Sequence, residues 1–207
     1  LLSCFVVVQP DEEAIVERFG NPRTAEGDVR LLGPGLSLKW PWPVDVVYKY
    51  PTKKISEICV GYIPKEEPGQ VGHGPLLWGE KHYEQEYQLL TATGQVTAEA
   101  EASVPVSIVK VAMPVQYRVK DLYKFLYNHN HSEERLEAVE YLEAIAYREL
   151  TKFAASAKIE FADTEKPGET LEESLLGAGR NRAKEVLTRR IQEAADQAQL
   201  GVEVVFV

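Results

Sequence analysis

Near residue 120 the hydrophobic period of this chain changes from two to about 3.6, and that switch limits the possible folds more than any motif does. In "ASVPVSIVKVAMPVQYRV", residues 102–119, Val104, Val106 and Ile108, then Val109, Val111, Met113, Val115, Tyr117 and Val119, alternate with smaller or polar residues. Period two sends one face of a strand into a core and the other to water, the habit of a half-exposed antiparallel sheet. From residue 132, "SEERLEAVEYLEAIAYRELTKF" instead spaces Leu136, Val139, Leu142, Ile145 or Ala146, Leu150 and Phe153 along one helical stripe. Ser132 suits its N-cap, with Glu133 and Glu134 in the first turn.

A second helix is predicted within "ETLEESLLGAGRNRAKEVLTRRIQEAADQAQLG". Leu171, Leu175, Ala183, Val186, Leu187, Ile191, Ala194, Ala198 and Leu200 supply its apolar positions. Thr170 with Glu173 fits a capping box, Gly177 and Gly179 weaken the early turns, and Gly201 fits the C′ stop. "VEVVFV" closes the chain as a strand that must return to the earlier sheet. At the other end, "VVVQPDEEAIVERFGNP" holds two short strands, with Ala14, Val16 and Arg18 alternating against Ile15, Glu17 and Phe19 before Gly20-Asn21-Pro22 breaks the chain. "VDVVYKYPTKKISEICV" is strand-like and broken at Pro51. Residues 61–94 lack periodicity and are predicted to be a surface insertion or extended hairpin. The fold class is therefore α+β: a mainly antiparallel β-rich part, 1–120, carrying the 61–94 insertion, then an α/β part, 121–207, with helices packed on the sheet and a return strand.

Two of the three tryptophans fall in "GPGLSLKWPWPVDVVYKYP". Proline fixes φ and removes a donor, so Trp40-Pro41-Trp42-Pro43 must be a stiff, extended or turning segment. The net charge of −9 excludes a phosphate-backbone binder, and no nucleic-acid partner is expected. Cys4 and Cys59 form no CxxC and read as buried small apolar residues. His129 and His131 in "NHNHSEE", and His73 and His82 in "GHGPLLWGEKHYEQE", lack metal-ligand spacing and read as polar loop residues. There is no GxSxG, P-loop or strand-borne GxGxxG; no catalytic residue, metal or cofactor is expected. A peptidase centred on His73, His82 and nearby glutamates is the alternative from another class.

Four stretches, in order, are similar to one family: "EEAIVERFGNP", "LLGPGLSLKWPWPVDVVYKY", "VPVSIVKVAMPVQYRVKDLYKFLYN" and "AKEVLTRRIQEAADQAQLGVEVVFV". They resemble the SPFH domain (stomatin, prohibitin, flotillin, HflK/C; also called band 7). Its hallmarks stand here as Arg18-Phe19-Gly20, Pro34-Gly35-Leu36, Val115 to Asp121 and Leu200 to Val204. "WPWPVDVV" and "VQYRVKD" look most like the HflK branch. The 61–94 insertion exceeds the family's usual connection there.

The resemblance implies a non-enzymatic, membrane-anchored scaffold that assembles into rings or cages, alone or with an HflC-like paralogue. An HflK-like member would regulate an FtsH-type membrane protease from the periplasmic side of the bacterial inner membrane. A stomatin- or flotillin-like member would act on lipid or other membrane proteins instead. "LLSCFVVV" is too short to span a bilayer, so a single-pass anchor and a C-terminal coiled coil are expected outside these 207 residues, with the apolar start read as a strand, as the end of that anchor, or as both. Because indole rings favour membrane–water interfaces, Leu36, Leu38, Trp40 and Trp42 are expected to face the membrane; a buried plug on the sheet is the competing reading. Arg180, Arg182, Arg189, Arg190 and Glu185 on the last helix form either a solvated face or an oligomer interface. An i,i+4 arrangement such as Glu185–Arg189 would help the helix slightly.

Overall fold

A computed structural model describes residues 4–64, 83–93, 106–129, 137–156, 158–159 and 179–207. The strands are β1 (Phe5–Val8), β2 (Glu13–Arg18), β3 (Leu31–Leu32), β4 (Gly35–Leu38), β5 (Asp45–Tyr50), β6 (Ser56–Val60), β7 (Tyr62–Pro64), β8 (Tyr83–Glu86), β9 (Gln88–Thr93), β10 (Val106–Lys110), β11 (Met113–Val119), β12 (Lys158–Ile159) and β13 (Val202–Phe206). The helices are α1 (Leu122–Tyr127), α2 (Glu137–Ser156) and α3 (Gly179–Gln197). This is the α+β arrangement expected, with the C-terminal strand β13 returning beside β11 in the order β13–β11–β6. The other sheets are β1–β4, β3–β2–β5, β7–β8 and β10–β9–β12. Their registered pairs are antiparallel except β12 with β9.

The chain divides into two compact units, each assembled from separated segments. One comprises Leu1–Ser56, Tyr117–Tyr141 and Ala194–Val205; the other comprises Glu57–Gln116, Leu142–Glu193 and Phe206–Val207.

In the first unit, β2 is the middle strand, pairing with β5 from Glu13↔Tyr50 to Arg18↔Asp45 and with β3 at Ala14↔Leu32 and Ile15↔Leu31. Alternation predicts one buried face here. Instead Ala14, Ile15 and Val16 are all buried, so β2 is covered on both sides. One cover is β1: Val6 and Val8 join Ala14 in a cluster with Leu32 and Val47. Asp121 caps α1 by accepting the Lys124 N–H at 3.1 Å, and the helix buries Leu122, Phe125 and Leu126. Phe125 meets the Tyr50 ring at 5.1 Å.

The end of α3 corrects the predicted stop. Leu200 N–H reaches the Ala195 carbonyl and Gln199 N–H the Asp196 carbonyl, both at 3.0 Å. That is a Schellman motif whose left-handed C′ residue is Gln199 (φ 54), with Leu200 and Ala195, the positions of its usual apolar pair, both buried. Gly201 (φ 69) serves another need. Its carbonyl accepts the N–H groups of Lys120 and Asp121, and a Cβ there would strike the Asp121 carbonyl.

In the second unit, Leu142, Ile145, Ala146, Leu150 and Phe153 of α2 are buried as the stripe predicts. Glu149 is buried among them. Burial pushes its carboxyl up, but hydrogen bonds from Lys152 (3.1 Å) and Arg148 (3.0 Å) outweigh that and hold it below the usual range. On α3, Ala183, Leu187 and Ile191 are buried, while Val186 is half-buried. In the 61–94 segment β7 and β8 are antiparallel arms, and β9 pairs antiparallel with β10. Residues 65–82 between the arms lie outside the described residues, as do Ser132, Leu136, Thr170, Glu173 and Gly177.

Candidate functional site

β1 and β4 form a two-stranded ladder with the register Phe5↔Leu38, Val6↔Ser37, Val7↔Leu36 and Val8↔Gly35. Successive side chains in a strand point to opposite faces. Val6 and Val8 therefore take the core, and the other face carries two directly opposed apolar pairs, Phe5 with Leu38 and Val7 with Leu36. All four are exposed. Cross-strand apolar pairs stabilise a ladder, but a contiguous apolar face toward solvent marks a contact surface.

The tryptophan segment continues from this ladder. Lys39 N–H donates to the Cys4 carbonyl at 2.8 Å. Next, Trp40 N–H donates to Asp45 Oδ2 at 2.8 Å. The turn from Pro41 to Val44 is closed by Val44 N–H on the Pro41 carbonyl at 3.0 Å, and its Trp42–Pro43 bond is cis. Both indoles are exposed, Trp42 at 75%. Neither indole is therefore a buried plug on the sheet.

Asp45 holds this segment. It is 1% exposed, and Arg18 grips it with two parallel bonds, Nε to Oδ1 at 2.9 Å and Nη2 to Oδ2 at 3.1 Å. A bidentate guanidinium–carboxylate pair fixes orientation as well as charge. The Arg18 bonds lead, with help from Trp40 N–H and the charges of Arg18 and Lys39, in holding the Asp45 carboxyl below the usual aspartate range against its burial. Lys39 Nζ donates to the backbone carbonyls of Trp40 (3.2 Å) and Asp45 (3.3 Å). One carboxylate thus ties the end of β2 to the tryptophan loop. Sequence reasoning passed over Asp45; the available signal was a lone acid in an otherwise apolar run from Leu31 to Tyr48, where Lys39 is the other charge.

Immediately after Arg18 the chain reverses at Phe19-Gly20. Arg18 and Asn21 exchange backbone hydrogen bonds of 2.9 and 3.0 Å, and both central residues have positive φ, 52° and 77°. Phe19 N–H donates to the Val44 carbonyl at 2.8 Å, which sets this tip beside the Pro41–Val44 turn. The Phe19 ring is 77% exposed.

The charged residues of α3 make local pairs. Arg182 meets Glu185 at 3.4 Å and Arg189 meets Glu193 at 3.8 Å, all four exposed, so the i,i+4 pair formed is Arg189 with Glu193 and Glu185 turns to Arg182. Arg190 is half-buried, its guanidinium 6.0 Å from the Phe153 ring centroid. Arg180 lies in α3, its side chain outside the described residues.

Cys4 and Cys59 are free thiols, half-buried rather than fully buried as predicted. Among the described residues no group of three or more His, Cys, Asp or Glu is placed to hold a metal ion. His129 is half-buried with its ring 5.1 Å from that of Tyr141 and its Nε2 unpartnered, while His73, His82 and His131 lie outside the described residues. No helix among the described residues is long and apolar enough to cross a membrane.

Residues 6–207 match the SPFH domain / Band 7 family. No match to a curated protein was found.

Proposed function

Because this chain belongs to the SPFH domain / Band 7 family, whose domains serve membrane-associated scaffolds, we propose that it is a scaffold resting on a bilayer through Leu36, Leu38, Trp40 and Trp42. One observation carries the reading: the outer face of the β1–β4 ladder is built from opposed apolar pairs although its inner face already fills the core. Water gains nothing from Phe5, Val7, Leu36 and Leu38, whereas a lipid interface does. The indoles continue this face, and amphipathic rings favour the headgroup level. Co-sedimentation with phospholipid vesicles tests it. Leu36→Ser with Leu38→Ser should lower partition by about tenfold or more, since each buried leucine contributes roughly 1.5–3 kcal/mol. Unchanged partition would contradict the reading.

The same reading assigns self-assembly to the charged face of α3, through Arg180, Arg182, Glu185, Arg189 and Arg190. Salt-sensitive loss of large particles on reversing Arg182 and Arg189 to Glu would support it; particles of unaltered size would oppose it. "WPWPVDVV" and "VQYRVKD" favour the HflK-like role, in which the scaffold, alone or with an HflC-like paralogue, encloses an FtsH-type protease on the periplasmic side of the bacterial inner membrane. Affinity capture from bacterial membranes should recover that protease. Recovery of other membrane proteins without it would favour the stomatin- or flotillin-like role.

A further inference from the structure

Phe19 is in the wrong backbone for its side chain. The Arg18–Asn21 reversal is a two-residue turn with positive φ at both central positions. Such a turn selects Asn-Gly or Asp-Gly, because a bulky side chain in left-handed backbone is strained. Here Phe-Gly occupies it. The strain brings no packing in return, since the ring is among the most exposed large apolar side chains of the described residues, beside Leu38 at 76% and Trp42 at 75%. An exposed aromatic held in costly backbone asks for a contact outside the chain.

The surroundings say what that contact is. Phe19 N–H is fixed to the Val44 carbonyl, and the preceding residue, Arg18, shares the Asp45 carboxylate with Trp40. The Phe19 tip and the tryptophan loop are thereby built on one support. Residues 33–44 together with Phe19 and Gly20 carry a single charge, Lys39, in a chain whose net charge is −9. A rim without carboxylates, studded with aromatic rings, fits the interface of a phospholipid bilayer.

We propose that Phe19 is a second membrane-anchoring prong, held clear of the fold by its left-handed turn so that its ring enters the lipid interface alongside Trp42. This rests on the bilayer reading of Leu36, Leu38, Trp40 and Trp42 and adds a residue from a different strand pair.

The turn geometry supplies a test in which stability and binding move apart. Phe19→Asn places the favoured residue in the turn, so the unfolding midpoint holds or rises. Vesicle partition meanwhile falls by about tenfold, the loss expected for one aromatic ring. Leu36→Ser with Leu38→Ser is measured in parallel on vesicles of phosphatidylcholine and phosphatidylglycerol. If that pair loses partition and Phe19→Asn does not, the prong is refuted and the bilayer reading stands; if neither loses it, both fall. A change in sedimentation with unaltered partition would assign Phe19 to a contact between copies and overturn the proposal. Should Phe19→Asn destabilise the chain, Phe19→Trp in a Trp40→Phe, Trp42→Phe, Trp78→Phe background decides. Quenching of its emission by brominated lipids supports the prong, and emission indifferent to vesicles refutes it.

Discussion

β11 and the β1–β4 ladder obey the same period of two and differ in what stands on the outer face. In β11, Met113, Val115, Tyr117 and Val119 point inward, while Gln116 reaches Glu57 at 3.2 Å and Arg118 pairs with Glu203 at 2.8 Å. Water can wet that outer face. In the ladder, Val6 and Val8 point inward, and the outward positions are Phe5, Val7, Leu36 and Leu38. Both inner faces are accounted for by core packing alone. Of these two outer faces, the ladder's is the one that needs something beyond the fold, which is why function is sought there and not on β11.

The sharpest way to break this comparison is to place one substitution in both strands. Val115→Asp would bury a carboxylate at a fully buried position and should cost about 4 kcal/mol or more, leaving little folded chain by circular dichroism. Val7→Asp, on the ladder's outer face, should keep the unfolding midpoint near wild type and strip vesicle partition. Equal destabilisation by the two would mean that the ladder's outer face is core.

A second expected loss sits just past the end of β11. Gly201→Ala adds a Cβ against the Asp121 carbonyl at φ 69° and should cost roughly 1–3 kcal/mol in thermal unfolding. By contrast, Gln199→Gly should be neutral or mildly stabilising, because glycine suits the left-handed C′ position that Gln199 holds.

Smaller still is Asp45→Asn, which keeps an acceptor for Trp40 N–H and removes the charge opposite Arg18. It should lower the midpoint by roughly 2–4 °C at neutral pH. Since the native carboxyl of Asp45 lies below its ordinary value, its stabilisation is complete above about pH 4 and is lost as pH falls through the native value. Melting curves of wild type and variant should therefore converge in acid. At the alkaline end, burial first and then the neighbouring Tyr50 push Tyr117 up to about 12, against a hydrogen bond with Ser56 that opposes the shift. Stability should then decline from about pH 10 upward, where the unfolded phenol ionises first. The smallest effect belongs to Arg118→Gln, whose exposed pair with Glu203 is screened by solvent, so its midpoint should match wild type.

The elements were legible where period and punctuation agreed. β11, the α2 stripe from Leu142 to Phe153 and the break at Pro51 all follow from spacing in the sequence. The double burial of β2 was not legible, because alternation assumes one wet face and says nothing about a strand covered by β1. Nor was the stop of α3: Gly201 is the obvious left-handed residue, yet the helix ends one motif earlier on Gln199, and the glycine answers to the backbone of Asp121 instead. At the surface, the tryptophan-proline segment together with the family resemblance pointed to Leu36, Leu38, Trp40 and Trp42. Phe5 and Val7 required the β1–β4 register, and Phe19 and Asp45 required contacts between residues 25 and 27 positions apart, Phe19 with Val44 and Arg18 with Asp45, that no local pattern encodes.

The most direct test of the bilayer reading uses the tryptophans themselves. In a Trp78→Phe chain, fluorescence comes from Trp40 and Trp42 alone. On titration with vesicles the emission should shift to the blue, and lipids brominated near the headgroup should quench it more than lipids brominated at the chain ends. Emission that stays at its solvent-exposed wavelength under saturating lipid, with no quenching at any depth, would contradict the account.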